Sequence, residues 1–195
     1  MLSYKESLKI LKETKALLEG HFILSSGLHS DQYIQCAKLL SNPSQAKIIC
    51  ASLVEKILST FKGINTVLSP ALGGMIAGYE VARQLNVKNI FVERVGGELS
   101  LRRGFEINKK SKVLIVEDIV TTGGSVFELI DIVNKFKGEV VGVTSILDRN
   151  KKPIDFGVPY VPLVQYPVES WDEEDIPSWL DEIPLTQRGR SGKKS

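Results

Sequence analysis

The sequence predicts an α/β protein with a parallel sheet covered by helices on both faces. Three observations carry the prediction. The stretches "TVLSP", "NIFVE", "VLIVE" and "EVVGVTSIL" are nearly continuous aliphatic runs, the pattern of strands buried on both sides rather than the alternation of a half-exposed sheet. Amphipathic segments, "MIAGYEVARQL" and "SVFELIDIVNKF", stand among them, giving the strand–helix rhythm of parallel connections. A chain of 195 residues is long enough for one domain with a substantial core and marginal for two. Residues 1–195 are therefore expected to form a single domain.

Ser3 to Leu18 reads as an amphipathic helix, with Leu8, Leu11 and Leu18 near helical spacing and Gly20 as its stop. "HFILSSGLHSDQYIQC" follows, irregular and rich in Ser and Gly, with short strands expected at Phe22–Leu24 and Tyr33–Gln35. Because this segment is too polar for a core, residues 1–40 are expected to fold over the sheet edge as a small hood. Gln45 to Phe61 reads as a second helix, its apolar stripe including Ile49, Leu53, Ile57 and Leu58. From there the alternation sets in. Strand "TVLSP" meets a Gly73–Gly74 turn and a helix, and strand "NIFVE" leads into the polar loop "RVGGELSLRRGFEINKK". Strand "VLIVE" passes through an acidic turn into a helix closed by Gly138, and "EVVGVTSIL" ends at "DRN". The tail turns acidic from Glu169 and finishes basic and small, so residues 187–195 are expected to be flexible.

Composition excludes several classes. Hydrophobic residues make up 43% and charged residues 25%, which is ordinary for a folded soluble protein. A net charge of +2 is too small for a nucleic-acid partner. Cys36, Cys50, His21 and His29 complete no zinc-ligand pattern, and the cysteines read as buried free thiols in a reducing compartment. The opening segment carries charges throughout and has no continuous apolar stretch, so neither a signal peptide nor a membrane span is expected. A cytoplasmic protein without a membrane partner follows.

The chemistry concentrates in "VLIVEDIVTTGGSV", Val113 to Val126. Two carboxylates, Glu117 and Asp118, stand where an aliphatic strand ends, and in an open parallel sheet ligands bind beyond the carboxyl ends of strands. Thr121, Thr122, Gly123, Gly124 and Ser125 then lead into a helix. Their glycines allow a tight turn, their hydroxyls donate, and the helix N-terminus favours an anion by about 0.3–1 kcal/mol. This is a phosphate cradle, but neither a Walker loop nor a dinucleotide fingerprint, since GxxxxGK[ST] and GxGxxG are both absent. Carboxylates beside such a cradle would repel phosphate unless they bind something else. Sugar hydroxyls and Mg²⁺ are the natural candidates, and a ribose 5-phosphate with its diol turned toward the acids satisfies both halves. The plainer alternative is a solvated strand end followed by an ordinary helix cap.

"VLIVEDIVTTGGS" resembles the phosphoribosyl-pyrophosphate (PRPP) signature of the type I phosphoribosyltransferases. Within that family, "GHFILSSGLHSDQYIQC", "ER…LSLRRGF" and "EIPLTQRGRSG" resemble the orotate phosphoribosyltransferases, over about Gly20 to Gly192. The resemblance implies Mg²⁺-dependent transfer of ribose 5-phosphate from PRPP to orotate in pyrimidine synthesis. PRPP would be held by Glu117, Asp118, Ile119, Val120, Thr121, Thr122, Gly123, Gly124 and Ser125, with Mg²⁺ carried by PRPP or reached from the acids through water. The same likeness implies that Thr121, Arg149 and Ser25 bind orotate. Thr121 stands where purine-type relatives carry an Asp, and an orotate ring that is already anionic needs no strong base there. Arg149 would pair with the anionic base in a planar fork. Ser25 occupies a position where other members carry a Lys, as Leu72 does beside the glycine turn.

Glu93 to Lys112 holds six basic and three acidic residues, with Gly96, Gly97 and Gly104 as hinges. A basic loop closing over departing pyrophosphate would neutralise its growing charge and exclude water; the plainer reading is a solvated charged hairpin. Asp118, Arg94, Arg102 and Arg103 are the catalytic candidates. Arg94 matches the family's loop arginine that reaches the neighbouring subunit's site, which implies a homodimer. Two rivals share the signature: a transferase for a purine or another pyrimidine, separable by base dependence, and a PRPP-binding regulator. The chain shows neither an added nucleic-acid-binding module nor the basicity a regulator would use.

Overall fold

A computed structural model describes residues 1–24, 26–152 and 154–187. In chain order the elements are α1 (Tyr4–Glu13), β1 (Leu17–Ile23), β2 (His29–Ile34), α2 (Cys36–Leu40), α3 (Pro43–Thr60), β3 (Thr66–Pro70), α4 (Gly73–Leu85), β4 (Lys88–Val95), β5 (Glu98–Leu101), β6 (Lys112–Val120), α5 (Gly124–Lys135), β7 (Glu139–Asp148), β8 (Tyr160–Gln165), α6 (Ser178–Asp181) and β9 (Leu185–Gln187). The main sheet runs in the order β5-β4-β3-β6-β7-β8. Its pairs are parallel except β4 with β5, which are antiparallel.

Alternation along β6 shows why its strand is apolar throughout. Leu114 and Val116 join one buried cluster with Val54 and Ile57 of α3 and Ala77 and Val81 of α4. Val113 and Ile115 point the other way, into a second cluster with Val126, Leu129 and Val133 of α5. Each face of the sheet is thus covered, as the aliphatic runs require, and each fully buried Leu or Ile contributes about 1.5–3 kcal/mol. Cys36 and Cys50 are buried free thiols, as expected.

Several boundaries differ from expectation for identifiable reasons. The first helix stops at Glu13 rather than near Gly20, because Lys15 takes a left-handed φ of 57° and turns the chain. Leu17 and Leu18, which continue the helical spacing, instead open β1. The helix starts on a capping box between Ser3 and Glu6, worth about 1 kcal/mol. The second long helix begins at Pro43 because the Asn42 side chain accepts from the Gln45 N–H at 3.3 Å. Residues expected as a polar loop form β5, folded back on β4 through Gly96 and Gly97, whose φ values are 59° and 95°. An unexpected edge strand, β8, holds Pro162, which edge positions tolerate. Lys56 of α3 reaches across to donate to the carbonyls of Pro162 and Leu163 at 3.1 and 2.9 Å.

A second, small sheet joins β2, β1 and β9, with β1 antiparallel to β2 and parallel to β9. Two buried histidines fasten it. His21 Nδ1 lies 3.2 Å from the Ile183 carbonyl and His21 Nε2 lies 2.7 Å from His29 Nδ1. A carbonyl only accepts, so His21 donates from Nδ1; with a neutral ring its Nε2 then accepts from the His29 Nδ1–H. The expected flexible tail falls, beyond Gln187, outside the described residues.

Candidate active site

β3 and β6 are neighbours at the point where the winding of the main sheet reverses, since the chain leaves β3 toward β4 but proceeds from β6 toward β7. Such a switch point opens a crevice at the strands' carboxyl ends. Two segments meet there. The start of α4, just after the turn that follows β3, carries Gly73 and Gly74, and the last residues of β6 carry Glu117 and Asp118. A Cβ on Gly73 would lie 2.4 Å from Asp118 Oδ2, and one on Gly74 would lie 2.8 Å from Glu117 Oε2. Glycine is therefore required for contact between the turn and the acids. The Ala71–Leu72 peptide in this turn is cis.

The acids sit at the strand's carboxyl end, as the sequence suggested, although the strand runs on to Val120 where an acidic turn was expected. Glu117 is 7% exposed. Burial, reinforced by the neighbouring Asp118 charge, pushes its carboxyl up to about 8, and burial also raises Asp118. Without a cation or hydrogen-bond donors the pair resists full ionisation. It is held from behind by α2, whose Cys36 thiol approaches the Asp118 carbonyl at 3.6 Å.

Ile119 to Ser125 wrap a small concavity of about 50 Å³ between β6 and α5. Gly123 caps the helix with φ 78°, and a Cβ there would meet Phe156 at 2.8 Å. Thr121, Thr122 and Gly124 are exposed at its mouth, while Val120 and Gly123 form its floor. Free N–H groups at the start of α5 and the flanking hydroxyls suit a phosphate group.

Arg149 follows β7, and its backbone N–H donates to the Val120 carbonyl at 3.0 Å, which fixes it beside the cradle. Its Nε is buried without a hydrogen-bond partner, and burial lowers the guanidinium's affinity for its proton. Next to it lies a cavity of about 340 Å³ lined by Arg149, Asn150, Lys151, Glu169, Ser170 and Trp171. The segment supplying the last three of these residues gave no recognised signal in the sequence.

Of the three loop arginines, Arg94 lies on β4 and Arg102 and Arg103 follow β5. Arg94 makes a paired contact with Glu128 of α5 at 2.9 and 3.2 Å and also donates to the Gly97 carbonyl. Arg103, at φ 58°, pairs with Glu93 at 2.9 and 2.7 Å and lies 5.7 Å from the Phe91 ring centre. Arg102 is exposed. Ser25 lies outside the described residues.

Residues 37–157 match the family model described as phosphoribosyl transferase domain. A protein of Carboxydothermus hydrogenoformans named orotate phosphoribosyltransferase is 47% identical over 181 residues, covering 93% of this chain and 95% of that protein. The crystal structure of orotate phosphoribosyltransferase from Aeropyrum pernix superposes with a TM-score of 0.71 at 25% identity, over 80% of this chain and 92% of that one. An adenine phosphoribosyltransferase from Thermoanaerobacter pseudethanolicus shares the fold at a TM-score of 0.59 and 18% identity, over 69% and 88% of the two chains. Fold and site together define a phosphoribosyltransferase, and fold alone leaves the base open. Identity near half over almost the full length decides the branch: the chain belongs to the orotate phosphoribosyltransferase family.

Proposed function

We propose that the protein transfers ribose 5-phosphate from PRPP to N1 of orotate, releasing pyrophosphate and orotidine 5′-monophosphate for pyrimidine nucleotide synthesis in the cytoplasm. The observation that carries this reading is the convergence of Glu117 and Asp118 on the Gly73–Gly74 turn at the sheet's switch point. The cradle from Thr121 to Ser125 takes the 5-phosphate, and the acids accept hydrogen bonds from the ribose diol. The glycine turn receives the pyrophosphate. Arg149 and Thr121 address orotate, whose negative charge answers the Arg149 guanidinium with its buried, unpartnered Nε. The whole chain acts as one domain, with the β2-β1-β9 sheet as its hood over the base.

Two adjacent carboxylates fit Mg²⁺. Among the described residues no group of three or more His, Cys, Asp or Glu stands ready to hold a metal, so the fit is to a cation arriving with substrate and water oxygens as ligands. When bound, Mg²⁺ supplies positive charge against the leaving pyrophosphate. Departure of pyrophosphate leaves an oxocarbenium-like ribose, which the ring nitrogen of orotate attacks. Because orotate is already an anion, the residues beside it need only orient it.

Arg94 adds charge neutralisation in trans, in a homodimer. Leu72, Ile76 and Tyr79 support this; they form a stripe 77%, 46% and 59% exposed at the start of α4, beside the glycine turn. To serve a partner's site, Arg94 must exchange Glu128 for pyrophosphate. No membrane or nucleic-acid partner enters the reading, and no described helix is long and apolar enough to cross a membrane. The test is pyrophosphate release from PRPP and Mg²⁺ with orotate, uracil, adenine, hypoxanthine or xanthine. Release with orotate alone is expected, and release with another base instead would overturn the assignment.

A further inference from the structure

We infer that the indole of Trp171 forms a wall of the base pocket and sets affinity for the orotate ring, a role that rests on the orotate reading above. Trp171 lines the same 340 Å³ cavity as Arg149, whose Nε is buried and unpartnered. A buried guanidinium Nε–H without a partner is costly and marks a place where an acceptor belongs. The other cation of this cavity, Lys151, is neutralised by Glu169 at 2.7 Å. One cation without an acidic partner among the described residues and one large aromatic residue therefore share a cavity, a pairing that suits a planar ring bearing a single negative charge.

Trp171 is also held in place as a recognition residue must be. Its N–H donates to the His29 carbonyl at 2.9 Å and its carbonyl accepts from the His29 N–H at 2.8 Å. Ser30 donates to the Glu169 carbonyl at 2.7 Å, and the Val168 N–H to the Arg149 carbonyl at 3.3 Å. These bonds tie the stretch from Val168 to Trp171 to the end of β7 at one end and to the small sheet at the other. Trp179 packs edge-on to the indole, with ring centres 6.0 Å apart and planes at 87°. This contact braces the ring. An indole so fixed loses little freedom when a planar base packs on it, and such stacking is insensitive to which ring is present. Charge selection is thereby left to Arg149 and ring affinity to Trp171.

The test compares W171A, W171F and W179F. W171A is expected to raise the orotate KM by roughly tenfold or more while the PRPP KM stays within about twofold, and W171F to restore most of the affinity. Orotidine 5′-monophosphate should quench tryptophan fluorescence in W179F, where Trp171 alone emits, and should not in W171F; ribose 5-phosphate should quench neither. An unchanged orotate KM in W171A, absence of quenching in W179F, or an equal rise in both KM values would overturn this role. A wild-type enzyme that ignores orotate would instead sink the functional assignment, so the two failures are distinguishable.

Discussion

The buried acid pair sets a conflict between stability and function that Glu117→Gln should expose. Glu117 is pushed up from 4.5 to about 8 by burial and by Asp118. A group whose carboxyl is raised on folding contributes stability below its unfolded value of 4.5, and that contribution is lost as pH climbs through about 8. The rise from 4.5 to about 8 corresponds to at most about 5 kcal/mol. Because Asp118 carries part of the same repulsion, we expect E117Q to gain about 1–3 kcal/mol over the ligand-free wild type above pH about 8. For a chain of this size that is a rise in Tm of roughly 3–10 °C, measurable by scanning fluorimetry without PRPP or Mg²⁺. At pH about 4 the two proteins should melt together, since the wild-type carboxyl is then protonated in both states. The same substitution should sharply lower kcat/KM for PRPP. Equal Tm values at alkaline pH, or an equal gain at acid pH, would refute the burial argument.

Three further outcomes follow. Mixing inactive Arg94→Ala and Asp118→Asn proteins should restore about a quarter of wild-type activity, because half the dimers are then mixed and each has one intact site; no recovery after verified subunit exchange would place Arg94 in its own subunit's site or outside the chemistry. Gly73→Ala should cost at least about tenfold in kcat/KM for PRPP with Tm little changed, as its Cβ would enter the Asp118 carboxylate at 2.4 Å. His21→Phe removes the acceptor for His29 and the donor to the Ile183 carbonyl, and should destabilise the protein by about 1–3 kcal/mol in urea unfolding.

The main sheet was legible because its signals are local. Runs such as Val113–Val116 can only be buried strands, and the glycines and hydroxyls after Val120 announce a turn into a helix. Where a residue's state depends on distant partners, the sequence misleads. Leu17 and Leu18 fit a helical stripe as well as a strand, and only pairing with β2 decides between them. β5 and β9 are four and three residues long, too short for their patterns to stand out. The acid pair and cradle were readable as one continuous motif. The approach of Gly73 to Asp118 was not, since it depends on how β3 and β6 lie side by side. Trp171 and its segment carried no recognisable motif, and what sets it beside Arg149 is the Val168 N–H bond to the Arg149 carbonyl together with backbone bonds to His29 and one from the Ser30 hydroxyl.

The small sheet has a consequence for how the protein is made. Its third strand, β9, comes from the far end of the chain, and the His21–Ile183 bond spans 162 residues. A two-stranded ribbon is marginally stable by itself, and closing so long a loop is entropically costly. β1 and β2 therefore wait, through most of synthesis, for the strand that completes them. The main sheet can assemble while the chain is still emerging, whereas the small sheet, the proposed hood, is finished only once β9 is free. A chain cut short before Leu185 would therefore keep its main sheet but lose the third strand of the small one.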